Sequence, residues 1–301
     1  MSAPASLNRR AILPLLRAAL REDRAAQDIT SRATVPRAQR VRARIIAKAS
    51  GVLAGGPIAA WTFLTQDPSL RCRLACREGT VLAKGRTILI MEGRARSIFA
   101  AERTVLNLLG HLSGIATITR MFVRRAGRRV EILDTRKTLP GLRALEKYAV
   151  RAGGGHSHRT SLQDAVLIKT NHLRAFESAA RWRMDGAALI QQMIQQAKAV
   201  RPKRFVEIEV TDLRELEAAL RARPDAILLD NWRAADIRKA VALRNAASRR
   251  RRPLLEVSGG VTLANVGAIA RTGVERISIG RLTHSAPSLD LALRVWTDSS
   301  S

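Results

Sequence analysis

The spacing of apolar side chains gives the two parts of the chain different rhythms. Residues 7–22 repeat apolar side chains at helical spacing, with Leu13, Leu16 and Leu20 on one face, and predict an amphipathic helix. Residues 29–93 break into short β-type runs between glycines, with one helix-like stretch among them. The strands are predicted at 41–47, 71–75 and 87–92, and the helix at 54–64. This part is therefore predicted to be a small, sandwich-like α+β domain with a cover helix.

A long helix is predicted between the two parts. Residues 98–122 carry an apolar stripe, and Gly110 and Gly114 interrupt it where we expect close packing. We place the domain boundary inside this helix. The first domain is predicted to span residues 1–113, and the second residues 114–301.

Beyond residue 125 the pattern repeats strand, loop and helix. Strands are predicted at 130–133, 165–168, 205–210, 226–229, 254–257 and 276–279, and helices at 186–200, 213–222, 234–247 and 263–272. Alternating elements of this kind favour parallel strands. The sequence predicts an α/β fold whose C-terminal part is a β/α barrel of six or seven strands, incomplete beside the common eight-stranded form.

Polar residues and glycines follow the predicted strands at consistent places. They are Asp134-Thr135-Arg136-Lys137, Lys169, Glu209, Asp230-Asn231, Ser258-Gly259-Gly260 and Gly280-Arg281. The carboxyl ends of the strands form the active-site face of a β/α barrel, and the last two loops often bind phosphate. Glycine there lets backbone N–H groups approach phosphate oxygens closely.

The charge of the chain offers a competing interpretation. The formal net charge is +28, and a cationic surface attracts nucleic acid without regard to sequence. All but eight of the 53 basic residues are arginine, which is also typical of GC-rich codon usage, and only 3% of residues are aromatic. The densest run, at positions 249–252, is predicted to be a solvated loop. We therefore expect no specific nucleic-acid function, and keep a non-catalytic nucleic-acid-binding protein as an alternative.

Other classes of chemistry lack their signatures. The chain has no Gly-x-Ser-x-Gly elbow and no zinc motif, and its two cysteines favour a reduced, cytoplasmic setting over a disulfide framework. No apolar run reaches the roughly 20 residues needed to span a bilayer. Fixed positive charge, carboxylates and glycine loops instead suit phosphoryl or phosphoribosyl transfer, where positioning and electrostatics supply most of the acceleration.

Several blocks of the chain resemble the quinolinate phosphoribosyltransferases. The resemblance runs from Glu22-Asp23 to Ser285. Its strongest blocks are AERTVLN at 101–107, LDTRK at 133–137, EKYAV at 146–150, VLIK at 166–169, EIEV at 207–210, LLDN at 228–231 and SGGV at 258–261. It implies transfer of phosphoribosyl from phosphoribosyl pyrophosphate to quinolinate with loss of CO₂, giving nicotinate mononucleotide for de novo NAD synthesis.

The resemblance also implies roles for individual residues. The carboxylates of quinolinate would be held by Arg103, Arg136, His158 and Arg159. Lys137 and Lys169 would neutralise the pyrophosphate, and Glu209 and Asp230 would bind the ribose hydroxyls and assist Mg²⁺ carried by the pyrophosphate. These last four residues are the ones implied to act in catalysis. The remaining substrate contacts would come from Thr135, Ser258, Gly259, Gly260, Ile279, Gly280, Arg281 and His284.

One further expectation follows from the family. Arg103 is expected to reach the site of a neighbouring subunit, which implies a homodimer or a higher homo-oligomer.

The alternation of side chains along a strand gives another expectation. Glu207 and Glu209 are expected to point to opposite sides, with Glu209 facing the site and Glu207 supporting the interior or the residues around the site. A sibling phosphoribosyltransferase-like protein of molybdenum-uptake operons is the alternative within the superfamily. The chain departs from the family pattern at Leu139, Ser157 and Thr170.

Overall fold

A computed structural model describes residues 7–179, 185–200, 204–247 and 252–296. These residues form two compact units. The first unit contains the residues up to Arg120, Thr138–Gly155 and the residues from Arg281 onward, and the second contains Met121–Lys137 and His156–Gly280. The arginines at 249–251 lie outside the described residues. The division of the domains at residues 113 and 114 stays a prediction.

The first unit is built on a four-stranded antiparallel sheet. Its strands and a separate pair of short strands are β1 Arg40–Ala47, β2 Gly51–Val52, β3 Arg71–Leu74, β4 Val81–Leu82, β5 Thr87–Arg94 and, from the C-terminal end, β12 Leu291–Trp296. The sheet order is β12-β1-β5-β3, and β2 pairs with β4. The N-terminal α+β domain predicted from the sequence is confirmed, although its sheet includes β12, which the local pattern did not predict.

Helices complete the first unit. They are α1 Arg9–Glu22, α2 Ile29–Thr34, α3 Gly56–Gln66, α4 Ala95–Ala126, α5 Arg143–Gly153 and α11 Arg281–His284, with a 3₁₀ turn at Ala25–Gln27. The last residues of α4 continue into the second unit. Asn8 caps the start of helix α1, and its side chain accepts hydrogen bonds from two backbone N–H groups of the first turn. Its buried residues are Ile12, Leu16 and Leu20, so Ile12 takes the place predicted for Leu13.

The glycines of helix α4 allow the close packing that the sequence predicts. A methyl group at Gly114 would lie 2.0 Å from the carbonyl oxygen of Pro287, and one at Gly110 would lie 2.9 Å from that of Leu289. The backbone N–H of Leu289 donates to the carbonyl of Gly110 at 2.9 Å. The segment before β12 is therefore held directly against the helix backbone.

The second unit is a parallel six-stranded sheet with helices between its strands. The strands are β6 Glu131–Leu133, β7 Val166–Ile168, β8 Val206–Val210, β9 Ala226–Asp230, β10 Leu254–Ser258 and β11 Arg276–Ser278. The helices are α6 Thr170–Ala179, α7 Gly186–Val200, α8 Leu213–Ala222, α9 Ala234–Ala247 and α10 Val266–Ala270. All six predicted strands are present, within about a residue of their predicted bounds.

The strand order is β6-β11-β10-β9-β8-β7. This is the order of a β/α barrel that is open between β6 and β7, its first two strands in the chain. Only an isolated bridge, between Leu133 and His156, extends the pairing beyond β6 among the described residues. One face of the sheet is apolar and buried, through side chains such as Ile208, Ile227 and Leu255. The register places Glu207, Glu209, Asp230, Glu256 and Ser258 together on the other face.

Among the described residues no helix has both the length and the apolar character needed to cross a membrane.

Candidate active site

Most of the predicted site residues lie at one edge of the parallel sheet. Each follows or ends a strand, because the carboxyl ends of parallel strands meet at the same edge. The residues are Thr135, Arg136 and Lys137 after β6, Lys169 after β7, Glu209 in β8, Asp230 at the end of β9, Ser258, Gly259 and Gly260 at and after the end of β10, and Ile279 and Gly280 after β11.

Two carboxylates and two lysines share one electrostatic environment. Partial burial and then the nearby charge of Glu209 raise the pKa of Asp230, while Lys137 and Lys169 act in the opposite direction. Both lysine residues are exposed. The hydroxyl of Thr170 donates to Glu209 Oε1 at 2.7 Å, and its backbone N–H lies 3.3 Å from the same oxygen. Thr170, one of the three residues that depart from the family pattern, therefore holds the carboxylate of Glu209.

The loop after β10 packs tightly against the end of β9. Asn231 has a left-handed backbone with φ of 60°, and its side-chain amide donates to Asp230 Oδ2 at 3.1 Å. Its backbone N–H donates to the carbonyl of Ser258 at 2.9 Å. A methyl group at Gly259 would lie 2.2 Å from Asn231 Oδ1, whereas one at Gly260 would meet nothing within 4 Å. Gly259 is thus required for packing, while the space that a side chain at Gly260 would fill is open.

Two guanidinium groups are neighbours in the loops after β6. Burial and the like charge of Arg136 lower the pKa of Arg159, and the carboxylate of Glu207 partly offsets this. The Arg159 side chain also donates to the carbonyl of Ala165 at 3.2 Å. Two half-buried arginines that repel one another favour binding of an anion, and guanidinium groups bind carboxylates through two parallel hydrogen bonds.

His158 lies in a buried cluster on the same face of the sheet. Its Nε2 is 3.0 Å from Glu207 Oε2 and 3.5 Å from Glu256 Oε1. Its Nδ1 accepts the backbone N–H of Arg159 at 2.8 Å, and its own backbone N–H donates to buried Asp134 at 2.9 Å. Both ring nitrogens are therefore engaged by the protein itself.

The two carboxylates of this cluster are almost inaccessible, with Glu207 1% and Glu256 0% exposed. Burial and the adjacent Glu207 raise the pKa of Glu256 to about 8, because two buried like charges are unfavourable together. His158, Ser278 and Arg276 act in the opposite direction.

The expectation that Glu207 and Glu209 point to opposite sides is wrong. Residues two apart along a strand lie on the same face, and only their depth differs. Glu207 lies in the interior beside His158, and Glu209 lies near the edge with Thr170. Glu256 was not identified from the sequence, although an acidic residue inside the apolar strand LLEVS was a signal for a buried polar contact.

Three of the expected site residues belong to the first compact unit. Arg103 is exposed on α4, and Arg281 and His284 are exposed on α11. His284 Nδ1 lies 2.6 Å from the hydroxyl of Ser285. The roles implied for these three residues stay predictions.

The arrangement suits binding and charge stabilisation better than covalent catalysis. Paired arginines can hold carboxylates, the exposed lysines can neutralise phosphates, and a glycine loop offers backbone N–H groups. The neighbouring carboxylates Glu209 and Asp230 can stabilise positive charge on a substrate. Their mutual repulsion, which contributes to the raised pKa of Asp230, also fits a nearby divalent cation.

Comparison with known proteins gives matches over most of the chain. Residues 28–113 match the family model of the quinolinate phosphoribosyl transferase N-terminal domain, and residues 115–294 match that of the C-terminal domain. The chain is 40% identical over 285 residues to a nicotinate-nucleotide pyrophosphorylase [carboxylating] of Mycobacterium leprae, covering 92% of this chain and 95% of the relative. It is 37% identical to quinolinate phosphoribosyltransferase [decarboxylating] 1 of Nicotiana glauca, covering 90% of this chain and 78% of the relative.

A solved structure shares the fold over almost its full length. The nicotinate-nucleotide pyrophosphorylase of Francisella tularensis superimposes with a TM-score of 0.86 at 34% identity, covering 98% of this chain and 100% of the relative. The family models together match most of the chain, and both named relatives exceed 30% identity. The chain therefore belongs to the quinolinate phosphoribosyltransferase family.

Proposed function

We propose that this chain transfers phosphoribosyl from phosphoribosyl pyrophosphate to quinolinate and releases CO₂, forming nicotinate mononucleotide for NAD biosynthesis. The observation that carries the proposal is the convergence of Lys137, Lys169, Glu209 and Asp230 at one edge of the parallel sheet, where all three other charges act on Asp230. The names of the relatives support the same reaction. They favour it over the sibling transferase and over a nucleic-acid-binding protein.

The side chains divide the reaction between them. Arg136 and Arg159 bind the dicarboxylate and orient the pyridine nitrogen toward the ribose. Because that nitrogen has a free lone pair, its attack on ribose C1 needs no general base. Glu209 and Asp230 stabilise the positive charge that develops on the ribose as pyrophosphate leaves, and Lys137 and Lys169 stabilise the leaving group.

Decarboxylation then follows from the charge on the ring. Once the nitrogen is quaternised, the carbanion left by loss of CO₂ lies beside N⁺ and takes a proton from water to give nicotinate mononucleotide. Arg136 and Arg159 keep the ring in place during this step. A site of this kind needs arginine, lysine and two carboxylates, and it needs no nucleophilic side chain.

Mg²⁺, assembly and location complete the proposal. Mg²⁺ bound to pyrophosphate would lie near Glu209 and Asp230 and neutralise the leaving group. We propose a homodimer in which Arg103 contributes to a neighbouring site, and a cytoplasmic location, which the free thiols of Cys72 and Cys76 support.

The test is turnover of the purified chain with quinolinate, phosphoribosyl pyrophosphate and Mg²⁺, with nicotinate replacing quinolinate in a parallel reaction. We expect nicotinate mononucleotide and CO₂ from quinolinate only. Arg136→Ala is expected to lose activity by on the order of a hundredfold or more, since it removes a charged hydrogen-bond donor to the substrate. Arg9→Ala, on the exposed side of α1, is the control for loss of positive charge. Folded wild-type protein without turnover would refute the proposal, and salt-sensitive binding to random DNA in its place would favour the alternative.

A further inference from the structure

The ring of His158 has no polar atom to spare for a substrate. Nδ1 accepts the backbone N–H of Arg159, and Nε2 faces Glu207 Oε2 at 3.0 Å. A neutral imidazole has one donor and one acceptor nitrogen. Because Nδ1 is the acceptor, the ring proton lies on Nε2 and is donated inward to Glu207. The carboxylate grip that the family resemblance implies for this histidine would require one of these bonds to break.

The same tautomer disfavours a metal ion in the cluster. The ligand atoms of His158, Glu207 and Glu256 lie within 4.8 Å of one another, which is a spacing that a metal could bridge. A neutral histidine that binds a metal through Nε2 carries its proton on Nδ1. Here that position accepts a backbone N–H from Arg159 instead. A metal bound through Nε2 would therefore have to displace the hydrogen bond that Arg159 donates to Nδ1.

We propose that His158 is a positioning residue, locked in the Nε2–H tautomer by Glu207, and that it acts on the substrate only through Arg159. This rests on the proposed function, because it assigns the dicarboxylate grip to Arg159 and removes it from the histidine ring. The chain Glu207–His158–Arg159 links a buried carboxylate to the backbone N–H of the residue that carries the guanidinium. Asp134 anchors the other side of the same residue by accepting its backbone N–H at 2.9 Å.

The neighbouring charges are consistent with this chain of contacts. Glu256 Oε1 is 3.5 Å from His158 Nε2, farther than the oxygen of Glu207. Glu256 thus provides a matched control, since it is an equally buried carboxyl in the same cluster without the short hydrogen bond.

The first experiment reads the tautomer directly and requires no turnover. The chain has five histidines, so ¹⁵N-histidine labelling gives a simple NMR spectrum, and a His158→Gln variant assigns the signal. We expect the Nε2–H tautomer in the wild type and in Glu256→Gln. Glu207→Gln should retain it, because an amide oxygen can accept the same bond, whereas Glu207→Ala should lose it. An Nδ1–H ring in the wild type, or a His158 Nε2 signal that shifts on addition of Zn²⁺, would overturn the proposal.

The second experiment adds quinolinate to the labelled protein. The positioning role predicts that the His158 signals keep their tautomer at saturation while the Arg159 guanidinium signal shifts. Conversion of His158 to the imidazolium form or to the other tautomer would show a direct grip and refute the inference. Glu207→Ala should raise the KM for quinolinate by roughly tenfold to a hundredfold, with the KM for phosphoribosyl pyrophosphate unchanged and Glu207→Gln rescuing most of the loss. Absence of quinolinate binding by the wild type would refute the proposed function and leave the tautomer result standing.

Discussion

Adjacent glycines in the loop after β10 provide a sharp test of the site geometry. Gly259 and Gly260 both have left-handed backbones, with φ of 82° and 60°. A methyl group at Gly259 would lie 2.2 Å from Asn231 Oδ1 and 3.0 Å from the Asn231 backbone nitrogen, whereas one at Gly260 would meet nothing within 4 Å. Alanine at either position therefore incurs a similar free-energy cost for its left-handed backbone. Only alanine at Gly259 also incurs a steric cost.

The backbone cost of alanine in the left-handed region is about 1–2 kcal/mol, and reduced freedom of the unfolded chain offsets about 0.4–1 kcal/mol of it. Gly260→Ala should thus destabilise the protein by about 1 kcal/mol. Overpacking adds about 1–3 kcal/mol, so Gly259→Ala should cost about 2–4 kcal/mol. Because Asn231 donates to Asp230, a displaced Asn231 moves a carboxylate of the site. We expect kcat/KM for phosphoribosyl pyrophosphate to fall by on the order of a hundredfold in this variant.

Urea unfolding gives the stability of each variant, and steady-state kinetics gives its activity. Adding Asn231→Gly to Gly259→Ala removes the side-chain clash and keeps a residue suited to positive φ. The double variant should therefore be more stable than the sum of the single changes predicts. Equal destabilisation by alanine at Gly259 and Gly260, or strict additivity in the double variant, would refute the assignment of the clash to Asn231.

Three further predictions concern other parts of the molecule. Gly114→Ala should destabilise the protein by about 1–3 kcal/mol in urea unfolding, although alanine has the better helix propensity, because its methyl group would lie 2.0 Å from a carbonyl oxygen. Gly186→Ala is the control, since its methyl group would meet nothing within 4 Å, and it should be neutral or stabilising. Thr170→Val should lower kcat/KM for phosphoribosyl pyrophosphate by roughly tenfold through loss of the 2.7 Å bond to Glu209, and unchanged kinetics would refute this role. The pKa of Glu256 is raised to about 8 in the folded state. Proton binding at Glu256 therefore stabilises the folded state fully below the ordinary carboxyl pKa, and this stabilisation is lost as the pH rises to about 8. Between pH 5 and 8 the free energy of unfolding should fall less in Glu256→Gln than in the wild type. Parallel plots of this free energy against pH for the two proteins would contradict the prediction.

The strands of the second unit could be predicted because each is a short apolar run in a repeating context. Helix α5 is less visible in the sequence, since Glu146 and Lys147 are buried and obscure its apolar face. Glu146 accepts a hydrogen bond from the backbone N–H of Leu139 and lies 2.9 Å from His111 Nε2. His111 is 35 residues away in sequence, so no local pattern shows that a glutamate at position 146 can be buried.

The edge of the candidate site was predictable for a related reason. Parallel strands place their carboxyl ends together, so residues such as Lys169 and Asp230 could be grouped without any coordinates. The interior of the site was not predictable. The contact of His158 with Glu207 and Glu256 depends on strand register and on the path of a loop, and neither follows from the composition of one strand.

The pairing of β12 with β1 has a consequence for folding of the chain during its synthesis. Residues 291–296 complete a sheet whose other strands end at Arg94, so nearly two hundred residues are synthesised before β1 gains its second neighbour. Until then β1 presents an unpaired edge, which is a template for association with other chains. Such non-local pairing slows folding, because the entropy of closing a long loop is lost before the contact forms. Arg40, Arg42 and Arg44 lie on the exposed face of β1, and like charges on an open edge strand oppose its pairing with another copy.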